Sequence, residues 1–539
     1  MNTERKTDMV KVFKRYTAVF LLLATILSLC ACGQEQAGEQ PEEEPVVGQG
    51  SEAGQQLADA YAADDVFSVN SDAAAGFNPL RTTNVANLMF LPLVYDTVFI
   101  VDENFEVSSD IVTSVTTEDY EWWVFTVDTD IICHDGTNLT AKDVAYSIQR
   151  AMGGEQYRSR LSCIYGCSSM SEDTFAISTY EPMPQLTSLL NIPVIKYGSM
   201  SEEIQPGTGP YMFDETRTKL VEFDRWHGEG ELPADTIYLK EYTSVEETVY
   251  AYKDSLIDIV VNDPAGMLNV GYGTANETRY ISTTCMHYLG FNENSVFFRY
   301  TAYRYGFNFI VDRERIVSDV MDNCAVATST PVHPNSPLYN SEFGRYYSYS
   351  MQKAKNCYTN SNVGDFDGDG YLEYMAGGTA LDIVINFVVC ADSAAKVAAA
   401  EIIKGDLEEL GFNVNLRSLA WEDYVTVLEE GDFDVYYGEV KLAADFNLSQ
   451  MLSEEGGLNY GGHTDPGYVS RITAYLQATD ENRKSAADDM CKYLIESAPI
   501  IPVCFERREV LTHRGVVSGM SATQYNVFNG IENWTINLG

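Results

Sequence analysis

The chain has 539 residues, 45% hydrophobic and 12% aromatic, too many for one core and enough apolar substance to fill two or three. Lysines and arginines number 35 against 79 aspartates and glutamates, a formal net charge of −44 at neutral pH. A field of that sign repels nucleic acid and argues against phosphate-binding grooves, while it favours solubility outside the cell.

Arg5, Lys6, Lys11, Lys14 and Arg15 precede an apolar run from Tyr16 to Leu29. The run is about 14 residues long, too short to span a bilayer and the right length for the core of a signal peptide. It closes on Leu29-Cys30-Ala31-Cys32, which resembles a bacterial lipobox with Leu at −3 and Ala at −1. Cys30 fits worse, because bulky Leu29 would then stand at −1. Residues 1–31 therefore read as a lipoprotein signal peptide and Cys32 as the lipidated first residue, where several acyl chains would anchor stably. Residues 32–57 are rich in Gly, Gln, Glu and Pro and poor in apolar side chains, the composition of a disordered acidic tether. No second hydrophobic run reaches spanning length, so the predicted location is the extracytoplasmic face of a bacterial cell membrane.

Strand and helix signals then alternate, which predicts an α/β protein. Trp123–Val127, Leu381–Val389 and Phe412–Leu416 read as strands. In Cys133-His134-Asp135-Gly136-Thr137, Asp-Gly suits a tight turn, and Thr140 with Asp143 predicts a capping box at the next helix. That structural reading outweighs a His134–Asp135 catalytic dyad. Ser393–Leu410 has helical apolar spacing stopped by Gly411, and Asp480 is placed to cap a helix reaching Ile495. Asp365, Asp367 and Asp369 alternate before Gly370, with Glu373 beyond, like the start of a calcium loop. Ala376 stands where the loop would need its bidentate Glu, so a structural turn comes first and weak calcium binding second. Nine cysteines lie beyond the lipobox, with Cys163 and Cys167 close enough in sequence to suggest a bridge. The six histidines are widely spread, and no nucleophile elbow or phosphate loop is present, so no catalytic residue, metal cluster or other cofactor is assigned.

Several motifs occur in an order that resembles the family 5 extracellular solute-binding proteins, the oligopeptide and dipeptide receptors of ABC importers. They are Phe77-Asn78-Pro79-Leu80, Leu93-Val94-Tyr95-Asp96, the His134 junction with Ala141-Lys142-Asp143-Val144, and Gly207-Thr208-Gly209-Pro210-Tyr211. Leu289-Gly290-Phe291-Asn292, Arg304, Asp312-Arg313, Trp421-Glu422-Asp423-Tyr424 and Gly431-Asp432-Phe433-Asp434 continue the series. The resemblance implies a two-lobed, type II periplasmic-binding-protein-like fold with an extra inserted domain. Lobe one would combine 58–96, 207–284 and 505–539, the inserted domain 97–206, and lobe two 285–504.

Within that resemblance, Ala444-Asp445-Phe446-Asn447 corresponds to the stretch whose aspartate pairs with the ammonium of a bound peptide. Lys441, Leu442 and Ala443 would form the strand that bonds the peptide backbone, with Asn447 close by. Leu442 departs from the tryptophan of the oligopeptide receptors, which reshapes one side-chain pocket. The implied protein is a lipid-anchored, monomeric, non-enzymatic receptor that captures a peptide between its lobes and delivers it to an ABC permease. A nickel-chelate or other small-solute receptor is the rival within this fold, and a surface hydrolase the rival outside it.

Overall fold

The computed structural model describes residues 65–264, 271–273 and 276–538. The expected signal peptide, Cys32 and the expected 32–57 tether lie outside the described residues.

The central feature is an eleven-stranded mixed sheet. From one edge it runs through Asn413–Leu419, Val384–Cys390, Val435–Lys441, Asn276–Phe291, Ile500–His513, Ile259–Asn262, Phe67–Ser71, Thr236–Glu241, Lys219–Glu222 and Tyr211–Phe213. Ala325–Ala327 pairs beside Ile500–His513. Asn276–Phe291 and Ile500–His513 are the long members, antiparallel from Asn276 opposite His513 to Gly290 opposite Ile500. Their register shifts between Ser282 and Met286. On one side of that irregularity Ile500–His513 pairs with Ile259–Asn262, and on the other Asn276–Phe291 pairs with Val435–Lys441. The expected boundaries at 284/285 and 504/505 thus fall inside continuous strands.

The second half of this sheet is covered on both faces. Leu289, Phe291, Phe387, Val389, Val435 and Tyr437 belong to one core cluster; Met286, Tyr288, Val388, Cys390 and Tyr436 belong to another. Successive side chains of a strand point to opposite faces, so the odd and even positions serve different cores. This is why 384–390 is a nearly continuous apolar run instead of an alternating one. The first half has one core extending from Phe67 to Trp534. It also takes in Phe125, Ile148, Phe175 and Ile195 from the 97–206 segment. That segment holds a four-stranded antiparallel sheet, Val112–Thr117, Trp122–Val127, Thr174–Thr179 and Ile164–Ser169, with the helix Ala141–Gly153 against it.

Local signals act as chemistry requires. At the helix start both the N–H and the hydroxyl of Thr140 donate to Asp143 Oδ2, at 2.8 and 2.6 Å. Ser393 accepts from the Lys396 N–H to cap Ala394–Glu409, and Gly411 beyond its end has φ +101°, a left-handed conformation that glycine adopts without strain. Gly207 and Gly209 serve close approach instead: an added Cβ would lie 2.1 Å and 2.6 Å from the carbonyl oxygens of Val94 and Leu93.

Three expectations are corrected. Asp480 is the first residue of its helix, after Thr479, so it meets the helix dipole without capping. The run 381–389 divides: Thr379–Asp382 belongs to a small hairpin sheet and Val384–Cys390 to the main one, with buried Ile383 between. Cys163 and Cys167 are free thiols. Cys167 lies in the strand Ile164–Ser169 that Cys163 immediately precedes, and extended backbone carries the two beyond the Cα separation a disulfide spans.

Candidate functional site

A cavity of about 500 Å³ lies where Val435–Lys441 leaves the sheet, and Lys441, Leu442, Ala443, Asp445 and Asn447 all line it. The facing wall comes from Tyr157, Arg160, Cys163, Asn191 and Tyr525. A second cavity of about 490 Å³ shares Leu88, Lys441, Gln524 and Tyr525 with the first and continues past Asp72, Tyr242 and Arg508. Both volumes suit a small organic ligand.

The strand ends at Lys441, so Leu442 and Ala443 lie just past it, although the Leu442 N–H still donates to the Thr284 carbonyl. Pairing with Val384–Cys390 stops at Tyr437, whereas pairing with Asn276–Phe291 continues to Lys441. Antiparallel strands turn alternate residues to alternate sides. With Leu442 bonded toward Thr284, the backbone groups of Glu439 and Lys441 face the opposite edge, which has no strand partner among the described residues. A ladder position is left open there.

Asp445 is 1% exposed. Its Oδ1 accepts from the Asn447 N–H at 3.1 Å, and its carbonyl accepts from the Tyr475 hydroxyl at 2.7 Å. Burial raises its carboxyl above the ordinary aspartate range, against smaller opposing effects of the Asn447 N–H, Arg483 and Arg160. No cation is in ion-pair contact with it among the described residues. The next residue, Phe446, has φ +54°, unfavourable for a non-glycine residue. Its ring packs against Phe105 at 4.9 Å and Phe505 at 6.3 Å, which holds the turn.

Arg160 and Tyr525 were not anticipated from the sequence. Arg160 Nη2 donates to the Asn191 carbonyl at 2.8 Å, its guanidinium lies 5.1 Å from the Tyr157 ring centroid, and its Nε has no partner. Nothing local in the sequence marks it, since it follows a one-turn helix and gains its place only by packing.

The other predicted residues lie elsewhere. Asp365, Asp367, Asp369 and Glu373 converge, with one oxygen from each within 4.8 Å. Their carboxylates are engaged by local N–H groups: Asp365 by Gly368 and Gly370, Asp367 by Asp369, Asp369 by Tyr371, and buried Glu373 by Phe366. These bonds shape the turn from within. Cys285, Glu439 and Glu506 also converge, but Glu506 bonds His287 at 2.6 Å and Glu439 pairs with Lys396. His134 and Asp135 do not bond each other: His134 Nε2 meets the Gly209 carbonyl at 3.0 Å, and Asp135 accepts from Thr137. Arg304 and Arg313 are structural, donating to the carbonyls of Phe298, Ser497 and Ala498, and of Pro502 and Asn308.

A family model for the bacterial extracellular solute-binding proteins, family 5, middle region, matches residues 106–452. The chain belongs to this family. Its members are receptors, which agrees with the two-lobed α/β fold and an extracytoplasmic location. It is 23% identical over 441 residues to the periplasmic oligopeptide-binding protein OppA of Salmonella typhimurium, covering 72% of this chain and 77% of that one. The oligopeptide-binding protein AppA of Bacillus subtilis, solved with a nonapeptide, has the same fold: TM-score 0.59, 18% identity, 87% of this chain and 98% of that one. So does NikZ of Campylobacter jejuni, solved with Ni(L-His), at TM-score 0.63 and 18% identity over 88% and 99%.

Proposed function

We propose that this solute-binding protein captures peptides between its lobes for an ABC permease. The observation that carries the reading is an open strand edge ending at Lys441 with buried Asp445 four residues beyond, Lys441 and Asp445 lining one cavity. A peptide added along that edge gains main-chain hydrogen bonds without demanding a side-chain sequence, and Asp445 supplies the partner for its ammonium. The oligopeptide-binding relatives support this reading. The lipobox supports Cys32 as its lipid anchor; Cys32→Ala should release the protein or stall its precursor. The domain divisions given above and the monomeric state belong to the same proposal.

The test is calorimetric titration of wild type and Asp445→Ala with a free peptide and its N-acetylated form. Removing the carboxylate leaves a buried cation unpartnered, so the free peptide should bind at least roughly tenfold more weakly to the variant. The acetylated peptide, which lacks that charge, should bind wild type poorly and lose little further. Equal binding of both peptides to wild type would remove Asp445 from the ammonium role. Binding of a nickel chelate with no peptide binding would favour the rival receptor, and turnover of a peptide substrate would favour a hydrolase.

A further inference from the structure

Three strands of the main sheet bring a thiol, an imidazole and two carboxylates to one face. Asn276–Phe291 pairs with Val435–Lys441 so that His287 stands opposite Glu439 and Cys285 opposite Lys441. On its other side Met286 stands opposite Phe505 and His287 opposite Cys504. Continuing that register puts Cys285 beside Glu506, at the irregularity between Ser282 and Met286. Opposed residues share a face and alternate residues return to it, so Cys285, His287, Glu439 and Glu506 project to the same side. One donor atom from each of Cys285, Glu439 and Glu506 lies within 4.8 Å of the others. None of these three lines either of the cavities described above.

Cys285 is 5% exposed, and its thiol has no hydrogen-bond partner among the described residues. Buried Glu506 is held through Oε1 by His287 Nε2 at 2.6 Å, and His287 Nδ1 meets the Tyr437 hydroxyl at 3.1 Å. Glu439 is exposed and pairs with Lys396 through Oε2. Each carboxylate uses one oxygen for its partner and keeps the other for a further ligand. A buried thiol facing two carboxylates that it does not bond is poorly satisfied, whereas a cation among them engages all three. Ionised, the donors carry three negative charges, which a divalent cation and the Lys396 ammonium balance. Sulfur argues against calcium and magnesium, which take oxygen ligands, and a mixed thiolate and carboxylate set suits zinc. Three protein donors leave a fourth tetrahedral position for water. Exposed Glu439 gives the ion an entry path, and the His287 bond orients Glu506 from behind.

We infer that Cys285, Glu439 and Glu506 form a binding site for Zn²⁺. On binding, the thiol proton leaves to solvent, a sulfur–zinc bond forms, and no electron moves. The ion ties together three neighbouring strands beside Lys441, where the open edge ends. The inference does not depend on the peptide reading, and it is distinct from a metal chelate carried as cargo in the cavities.

The experiment uses the reduced, metal-free, full-length protein carrying Cys30→Ser and Cys32→Ser, so that those two thiols do not compete for metal. Calorimetric titration with zinc chloride should show one ion bound per chain. Tm should rise with zinc, because an ion that binds the native state alone stabilises it. Co²⁺ as a spectroscopic substitute should give a thiolate-to-metal charge-transfer band in the near ultraviolet, lost in Cys285→Ser and kept in Cys357→Ser. Cys285→Ser and Glu439→Gln should each weaken Zn²⁺ binding by at least the roughly tenfold that loss of an outer partner costs. Glu439 is exposed, so Glu439→Gln tests the site without disturbing the core. Absence of Zn²⁺ binding, a cobalt band that survives Cys285→Ser, or Zn²⁺ affinity unchanged in Glu439→Gln would each overturn the site and leave the peptide receptor standing.

Discussion

Asp445 titrates into its role. Burial sets its carboxyl above the ordinary aspartate value of 3.8, so on acidification it takes up a proton earlier than an exposed acid does. The protonated form has no charge to offer an ammonium. Peptide affinity should therefore fall as pH drops through that raised pKa and recover above it, with proton release on binding in the acid range. Asp445→Asn should flatten the profile. Calorimetry in two buffers of different ionisation enthalpy measures both effects. His333 acts oppositely on the fold: burial, with Arg507 nearby, pushes its imidazole down to about 3 from 6.5. Above pH 6.5 it is neutral whether folded or unfolded and contributes no pH dependence. Between 6.5 and 3 the unfolded chain binds a proton that the folded site refuses, so stability falls on acidification. The loss from His333 alone is about 2 kcal/mol between pH 6.5 and 5. Chemical denaturation across that range should show a shallower slope in His333→Asn.

Among elements, the strand edge and the acidic turn make distinct predictions. If the peptide adds to the edge at Glu439 and Lys441, methylating the ligand amide that faces it removes a donor and introduces a clash. Affinity should drop roughly tenfold at alternate ligand positions only, because successive amides of an extended chain point opposite ways. A methyl scan that weakens every position equally would count against strand addition. We read the Asp365 turn as structural, since its carboxylates are occupied by N–H groups within the turn. Adding calcium or a chelator should then leave Tm nearly unchanged. A shift of many degrees saturating at micromolar calcium would identify a true site.

Across the whole molecule, residues 103–105 reach the half that holds Asp445. Phe105 packs against His333 at 5.1 Å and Phe446 at 4.9 Å, and the Asn335 side chain donates to the Glu103 carbonyl at 3.2 Å. Gln477 donates to Glu181 at 3.3 Å, a second bond from 97–206 to that half. Phe105 does not line the first cavity, so Phe105→Ala tests what its packing on His333 and on the Asp445 turn contributes, without removing a cavity-lining side chain. Aromatic pairs of this kind contribute about 0.5–1.5 kcal/mol each, so affinity should fall roughly three- to tenfold through faster dissociation. Stopped-flow fluorescence separates the rates. The nine cysteines from Cys133 to Cys504 are free, so a reductant should not change Tm.

The fold class and the family resemblance were legible in the sequence. They rest on signals carried by neighbouring residues: apolar periodicity, the Thr140–Asp143 cap, and motifs whose order survives substitution. Tertiary structure decided what local signals cannot encode. Leu381–Val389 reads as one strand until two different sheets claim its halves. Cys163 and Cys167 look like partners until extended geometry parts them. Arg160 and Asp445 line one cavity with 284 residues of chain between them. No periodicity records such an encounter, because burial, charge separation and an open strand edge arise only once distant segments pack.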